Sequence, residues 1–121
     1  MSGVTRLLTF VDIDDAHPGF AVSALHQAEL ADGRRVVLLD DRGWTSSRAP
    51  TEMEDVVRTS RIVVGPDEPF GGRSRADMEA GHWNSLTRTL RAQDVEVDPE
   101  VLAALPHDVE LSDRLRAALG P

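Results

Sequence analysis

The sequence predicts a single α+β domain over residues 1–121: a small, antiparallel-rich sheet, built from a meander or hairpin plus one or two strands, backed by helices. Three observations carry this. Two alternating apolar stretches flank Asp32-Gly33, the apolar run RLLTFVDI precedes them, and a stripe of apolar residues at helical period follows Ser74.

Arg6 to Ile13 has the β-branched and aromatic content of a central strand with apolar groups on both faces. From Phe20 to Leu30, the even positions Phe20, Val22, Ala24, His26, Ala28 and Leu30 share one side of an extended chain. Asp32-Gly33 then fits a two-residue type I′ turn, which sets Ala31 opposite Arg34, Ala28 opposite Val37 and His26 opposite Leu39. A third strand continues through RRVVLLDD. Thr51 and Glu54 match a capping box for a short helix, Glu52 to Thr59, and RIVVG reads as a fourth strand. Ser74 caps the longest helix, 75–93, along which Ala76, Met78, Trp83, Leu86 and Leu90 form the buried stripe. DVEVD alternates briefly, as an edge strand would. Asp98-Pro99 opens a helix to Leu105, and Ser112 opens a last one ending near Gly120.

At 121 residues the chain suits one ordinary core. It has no apolar run approaching membrane-span length and no leader-like N-terminus, so the expectation is a cytoplasmic protein with no membrane partner. The absence of cysteine removes disulfides and thiolate chemistry. A net charge of −8 without a basic cluster excludes nucleic acid as the expected partner. All thirteen basic residues are arginine, which reads first as codon usage in a GC-rich genome and only second as selection for bidentate anion contacts.

Three places have the residue types for ligand or partner contact. Gly71, Gly72, Arg73 and Ser74 resemble the outline of an anion cradle, glycines letting the backbone approach a ligand at a helix start. Yet Pro66 and Pro69 each remove a donor and Asp67 and Glu68 repel phosphate, so the loop is expected to be a connector with weak anion binding at most. Asp12, Asp14, Asp15 and His17 carry oxygen and imidazole ligands suited to a divalent cation, though without a calcium-loop pattern. Trp44, between Arg42 and Arg48, has the composition of a protein-contact hot spot or folds back over the hairpin end. His26 and His82 fall on apolar faces and read as buried, hydrogen-bonded structure. No GxxxxGK[ST], GxGxxG, GxSxG or HExxH motif is present, and the sequence calls for no cofactor.

These readings favour a non-enzymatic protein-binding or regulatory module acting as a homodimer. The dimer follows from an expectation that Leu7, Val11, Ile13, Val36, Val37, Leu38 and Leu39 supply apolar groups to both sheet faces, leaving one in need of cover. The alternative is a small-molecule-binding or hydrolytic domain using the loop 65–74 with His82 or the acidic turn.

Overall fold

The computed structural model describes residues 3–16, 19–47 and 52–119. In chain order they form β1 (Val4–Ile13), β2 (Phe20–Leu30), β3 (Arg35–Ser46), α1 (Met53–Val63), α2 (Arg75–Arg91), α3 (Pro99–Ala103), β4 (His107–Leu111) and α4 (Asp113–Ala118). The four strands make one sheet in the order β3-β2-β1-β4. β1 runs antiparallel to β2 and β2 to β3, whereas β4 lies parallel to β1. The fold is thus α+β with a mixed, mostly antiparallel sheet.

The β2–β3 hairpin forms where expected, with a turn one residue longer. The Leu30 N–H donates to the Arg34 carbonyl at 2.8 Å and the Gly33 N–H to the Leu30 carbonyl at 2.9 Å, so Ala31, Asp32 and Gly33 make a three-residue loop. A type I′ turn needs two left-handed residues, and here only Gly33 takes that conformation, at φ 90°. The Asp32 carboxylate instead accepts the Arg34 N–H at 3.0 Å, holding the loop in its three-residue form. Ala28 therefore pairs with Val36 rather than Val37, and Leu30 rather than Ala31 faces Arg34. The expected His26–Leu39 pair is still found, because the register shifts on both sides of it.

That irregularity decides which way the sheet faces. A one-residue slip moves side chains to the opposite face, and the bulge directs Leu38 as well as Leu39 into the helix-covered core. Leu7, Val11, Ile13 and Val36 join the same side, and only Val37 of the expected two-sided set points away, 42% exposed. The core has two lobes. Leu7, Ala28, Leu30 and Leu38 pack with Leu86 and Leu90 of α2, Val95 and Leu102, while Val11 and Val22 pack with Val56 of α1, Leu111 and Leu115 of α4. The outer face carries a charged network instead: Arg6 bridges Glu29 at 3.0 Å and Asp108 at 2.8 Å, and Arg35 reaches Glu29 at 3.1 Å.

Two segments expected as strands are not. RIVV continues α1, because Val56, Ser60 and Val64 recur every four residues and leave only 0%, 0% and 1% of their surface exposed. A strand there would also need a ladder partner, and the free edge of β1 belongs to β4. DVEVD closes α2: Asp94 sits in the left-handed region (φ 63°), the Val95 N–H returns to the Leu90 carbonyl at 2.9 Å, and Val95 seals the core. The fourth strand is HDVEL, between Leu105 and the Ser112 cap, where the sequence carries no strand signal. The cap expected at Thr51 lies outside the described residues, and Glu52 occupies the N-cap of α1 without a side-chain hydrogen bond. Ser74 caps α2 reciprocally with Asp77 as expected of a strong helix start, although α2 ends at Arg91 rather than Gln93. α3 starts at Pro99 and ends at Ala103, and Ser112 caps α4. No described helix is long and apolar enough to cross a membrane.

One-sided packing gives a paired test. Leu90→Ala should cost about 2–5 kcal/mol in urea denaturation, as for a buried leucine with little room to relax. Val37→Ser should change stability by less than about 0.5 kcal/mol. Comparable losses at both sites would contradict the one-sided core.

Candidate functional site

The glycine loop does not arrange its backbone as a cradle. Gly71 and Gly72 are both left-handed, at φ 61° and 77°, and exposed. Three backbone donors around the helix start are already used: the Ser74 side chain accepts the Asp77 N–H at 3.1 Å, the Asp77 carboxylate accepts the Ser74 N–H at 3.2 Å, and the Arg73 N–H donates to the Phe70 carbonyl. What the loop does provide is one wall of a cavity of about 320 Å³. Asp67, Phe70 and Arg73 face it from the loop, Leu39 and Arg42 from β3, and Met78, His82, Ser85, Leu86 and Arg88 from α2. The sequence joins the Arg73 loop with His82 in the alternative small-molecule reading, and the structure places both at this cavity. Ser85 and Arg88, about one and two turns beyond His82 on the same helix face, are the helical-period signal for the rest.

The acidic turn after β1 is neutralised by an arginine. Arg114 of α4 reaches Asp12 through Nε at 2.8 Å, Asp15 through Nη1 at 2.8 Å and the Ile13 carbonyl through Nη2 at 2.7 Å. Ser112 donates to the same Asp12 oxygen at 2.6 Å. The Arg114 guanidinium, then the Ser112 hydroxyl, hold the Asp12 carboxyl down to about 2. Asp14 accepts the Ala16 N–H, closing the turn, and His17 lies outside the described residues. No cluster of three or more His, Asp or Glu fit for a metal occurs among the described residues. Asp12 and Asp15 thus fix α4 to the end of β1.

Trp44 turns inward. Its Nε1 donates to the Ser60 hydroxyl at 3.1 Å, its ring lies 5.5 Å from that of Phe20, and it packs on the α1–α4 lobe. This is the fold-back reading of RGWTSS. Arg42, its neighbour in sequence, pairs with Asp67 at 3.2 Å and lines the cavity, while Arg48 lies outside the described residues.

Between the two core lobes sits a polar trio that the sequence did not reveal. The Thr9 hydroxyl lies 2.9 Å from His26 Nδ1 and 2.7 Å from His107 Nε2, and the two rings meet edge to face at 5.1 Å. With one proton, the hydroxyl donates to one imidazole and accepts from the other, so the trio is satisfied with both rings neutral. His26 is 2% exposed. Burial, then the proximity of His107, His82 and Arg42, lowers its pKa from 6.5 to about 3, and burial lowers that of His107. Neither ring nor the hydroxyl lines a described cavity, so the trio is a structural pin between β1, β2 and β4.

The remaining feature is the outer surface of α1. Met53 and Ile62 are 45% and 68% exposed, and with Glu54, Val57, Arg58 and Arg61 they form a continuous, largely apolar strip along the helix. A helix ending at Thr59 with Ile62 in a strand, as local propensity suggests, contains no such strip; it exists because α1 runs on to Val63. No family model, curated protein or solved structure matches the chain.

The imidazole trio predicts a pH dependence of stability. Unfolded His26 protonates near 6.5 and folded His26 near 3, so between these values the unfolded state holds more protons and stability rises with pH. The contribution is complete above about 6.5 and is lost as pH falls, at a limiting slope of about 1.4 kcal/mol per pH unit for one imidazole. Asp12 and Glu29, both lowered, act only below the ordinary carboxylate range. Urea midpoints should therefore fall between about pH 7 and about pH 5, and His26→Gln should flatten that fall. A wild-type midpoint that stays constant over this interval would contradict the buried neutral imidazoles.

Proposed function

We propose that this protein is a non-catalytic cytoplasmic binding module that works as a reversible homodimer, joined through the outer face of α1. The observation that carries the reading is the self-complementarity of that face. In an antiparallel two-fold pair centred between Val57 and Arg58, residues equally far from the centre come level with one another. Glu54 then stands level with Arg61 of the second copy, Met53 with Ile62, and Val57 with Arg58. Arg58, next to the centre and level with that valine, keeps its charge paired with Asp55 of its own helix.

Other surfaces fit the role less well. The outer sheet face is laced by the Arg6, Glu29, Arg35 and Asp108 network, and its Leu8 is already 0% exposed within the chain. Both core lobes close without a second copy, so the subunit needs no partner to fold. An eleven-residue helix is only about 16 Å long, which places the contact below about 1,200 Å² and in the class of weak, exchanging interfaces. Rapid monomer–dimer exchange suits a module whose state depends on its concentration.

Sedimentation equilibrium from about 5 to about 500 µM should show the mass rising from 13.2 kDa towards twice that value. Glu54→Arg and Arg61→Glu should each remain monomeric alone, because each sets like charges level twice per dimer. Mixed in equal amounts they should associate, since both pairs become opposite in sign. Wild-type protein that stays monomeric throughout, or variants that fail to associate when mixed, would overturn the proposal.

A further inference from the structure

The cavity between β3, the 65–74 loop and α2 has a composition at odds with the chain as a whole. The protein carries a net charge of −8, yet three arginines from three segments, Arg42, Arg73 and Arg88, line this one concavity. Its two carboxylates are committed. Asp67 pairs with Arg42 at 3.2 Å, and Asp77 accepts the Ser74 N–H as part of the α2 cap. Arg73 lies over the Phe70 ring with its guanidinium carbon 5.7 Å from the centroid, and Phe70 is 61% exposed. A guanidinium held over an aromatic face keeps its in-plane N–H donors free for a planar or tetrahedral anion. Behind these groups the lining turns apolar, with Leu39, Met78 and Leu86.

A basic rim over an apolar floor selects for a ligand with two unlike ends. From this geometry we infer that the cavity binds a small amphiphilic anion, a carboxylate or phosphate head on a compact apolar body. The head is held by Arg73 and Arg88, and the body lies along Met78 and Leu86 beside Phe70. The volume of about 320 Å³ lies at the low end of the range for small-molecule sites and suits a body of one ring rather than a nucleotide. His82, half-buried at the cavity wall, is held below its ordinary pKa by burial and then by Arg42, so it offers a neutral imidazole that can accept or donate one hydrogen bond. None of the α1 strip residues takes part, so this site stands or falls separately from the homodimer.

The Trp83 ring lies 4.9 Å from that of His82 and gives a reporter next to the cavity. Titrations of the full chain, followed by amide and indole proton–nitrogen spectra, would use phenyl phosphate and phenylacetate as probes. Benzyl alcohol serves as the neutral control and inorganic phosphate as the head alone. Saturable shifts at Arg73, His82, Ser85 and the Trp83 indole are expected with at least one aromatic anion. Which anion binds more tightly decides between phosphate and carboxylate. Benzyl alcohol and inorganic phosphate should each bind at least about tenfold more weakly, and Arg73→Gln and Arg88→Gln should each weaken the anion by about tenfold. Both arginines are exposed, so an unchanged amide spectrum elsewhere will confirm that the variants fold. Absence of saturation by either aromatic anion overturns the inference, as does equal binding of benzyl alcohol, equal binding of inorganic phosphate, or wild-type affinity in both variants.

Discussion

β1 is the strand on which the rest of the chain is registered. It pairs antiparallel with β2 on one edge and parallel with β4 on the other, and a parallel return requires a long connection that must cross one face of the sheet. Residues 47–106 are that connection, and they carry α1, α2 and α3 over the inner face before β4 docks. Leu7, Thr9 and Val11 of β1 point into this layer, so both core lobes and the polar trio between them hang on three alternating side chains of one strand. The Arg114 clamp on Asp12 and Asp15 then ties the last helix to the far end of the same strand.

Local chemistry made part of this legible. The hairpin, the Ser74 cap and the Asp98-Pro99 start are decided by residues adjacent in sequence, and each is found within a residue or two of its expected place. The misses share a different cause. RIVV has strand propensity, yet Val56, Ser60 and Val64 bury at helical spacing, so tertiary packing overrides the local preference. HDVEL is too short and too polar to announce a strand, and its identity depends on the open edge of β1, about a hundred residues away in sequence. The bulge at Leu38 is equally non-local: nothing in RRVVLLDD says that two successive leucines will face the same core.

The candidate sites follow the same division. Acidic residues after β1 were visible, but the arginine that neutralises them comes from the C-terminal helix. Trp44 was visible, but its hydrogen-bond partner Ser60 lies on a helix read shorter than it is. The cavity residues were visible only as fragments, because the loop, β3 and α2 meet only in three dimensions. The Thr9 hydroxyl gave no signal at all, since a threonine inside a strand is ordinary until two imidazoles are found against it.

One consequence joins fold to function. Because the helices sit on one face and the outer sheet face carries the Arg6–Glu29–Asp108 network, the apolar strip of α1 faces outward, where no further element of the described chain covers Met53 and Ile62. The most direct measurement is a dilution series of amide proton–nitrogen spectra, which maps where copies of the chain touch. Concentration-dependent shifts confined to residues 53–62, with Phe10, Leu25 and Val37 of the outer sheet face unmoved, are the result expected of an α1 homodimer. Shifts centred on those outer sheet residues, with α1 unchanged, would contradict it.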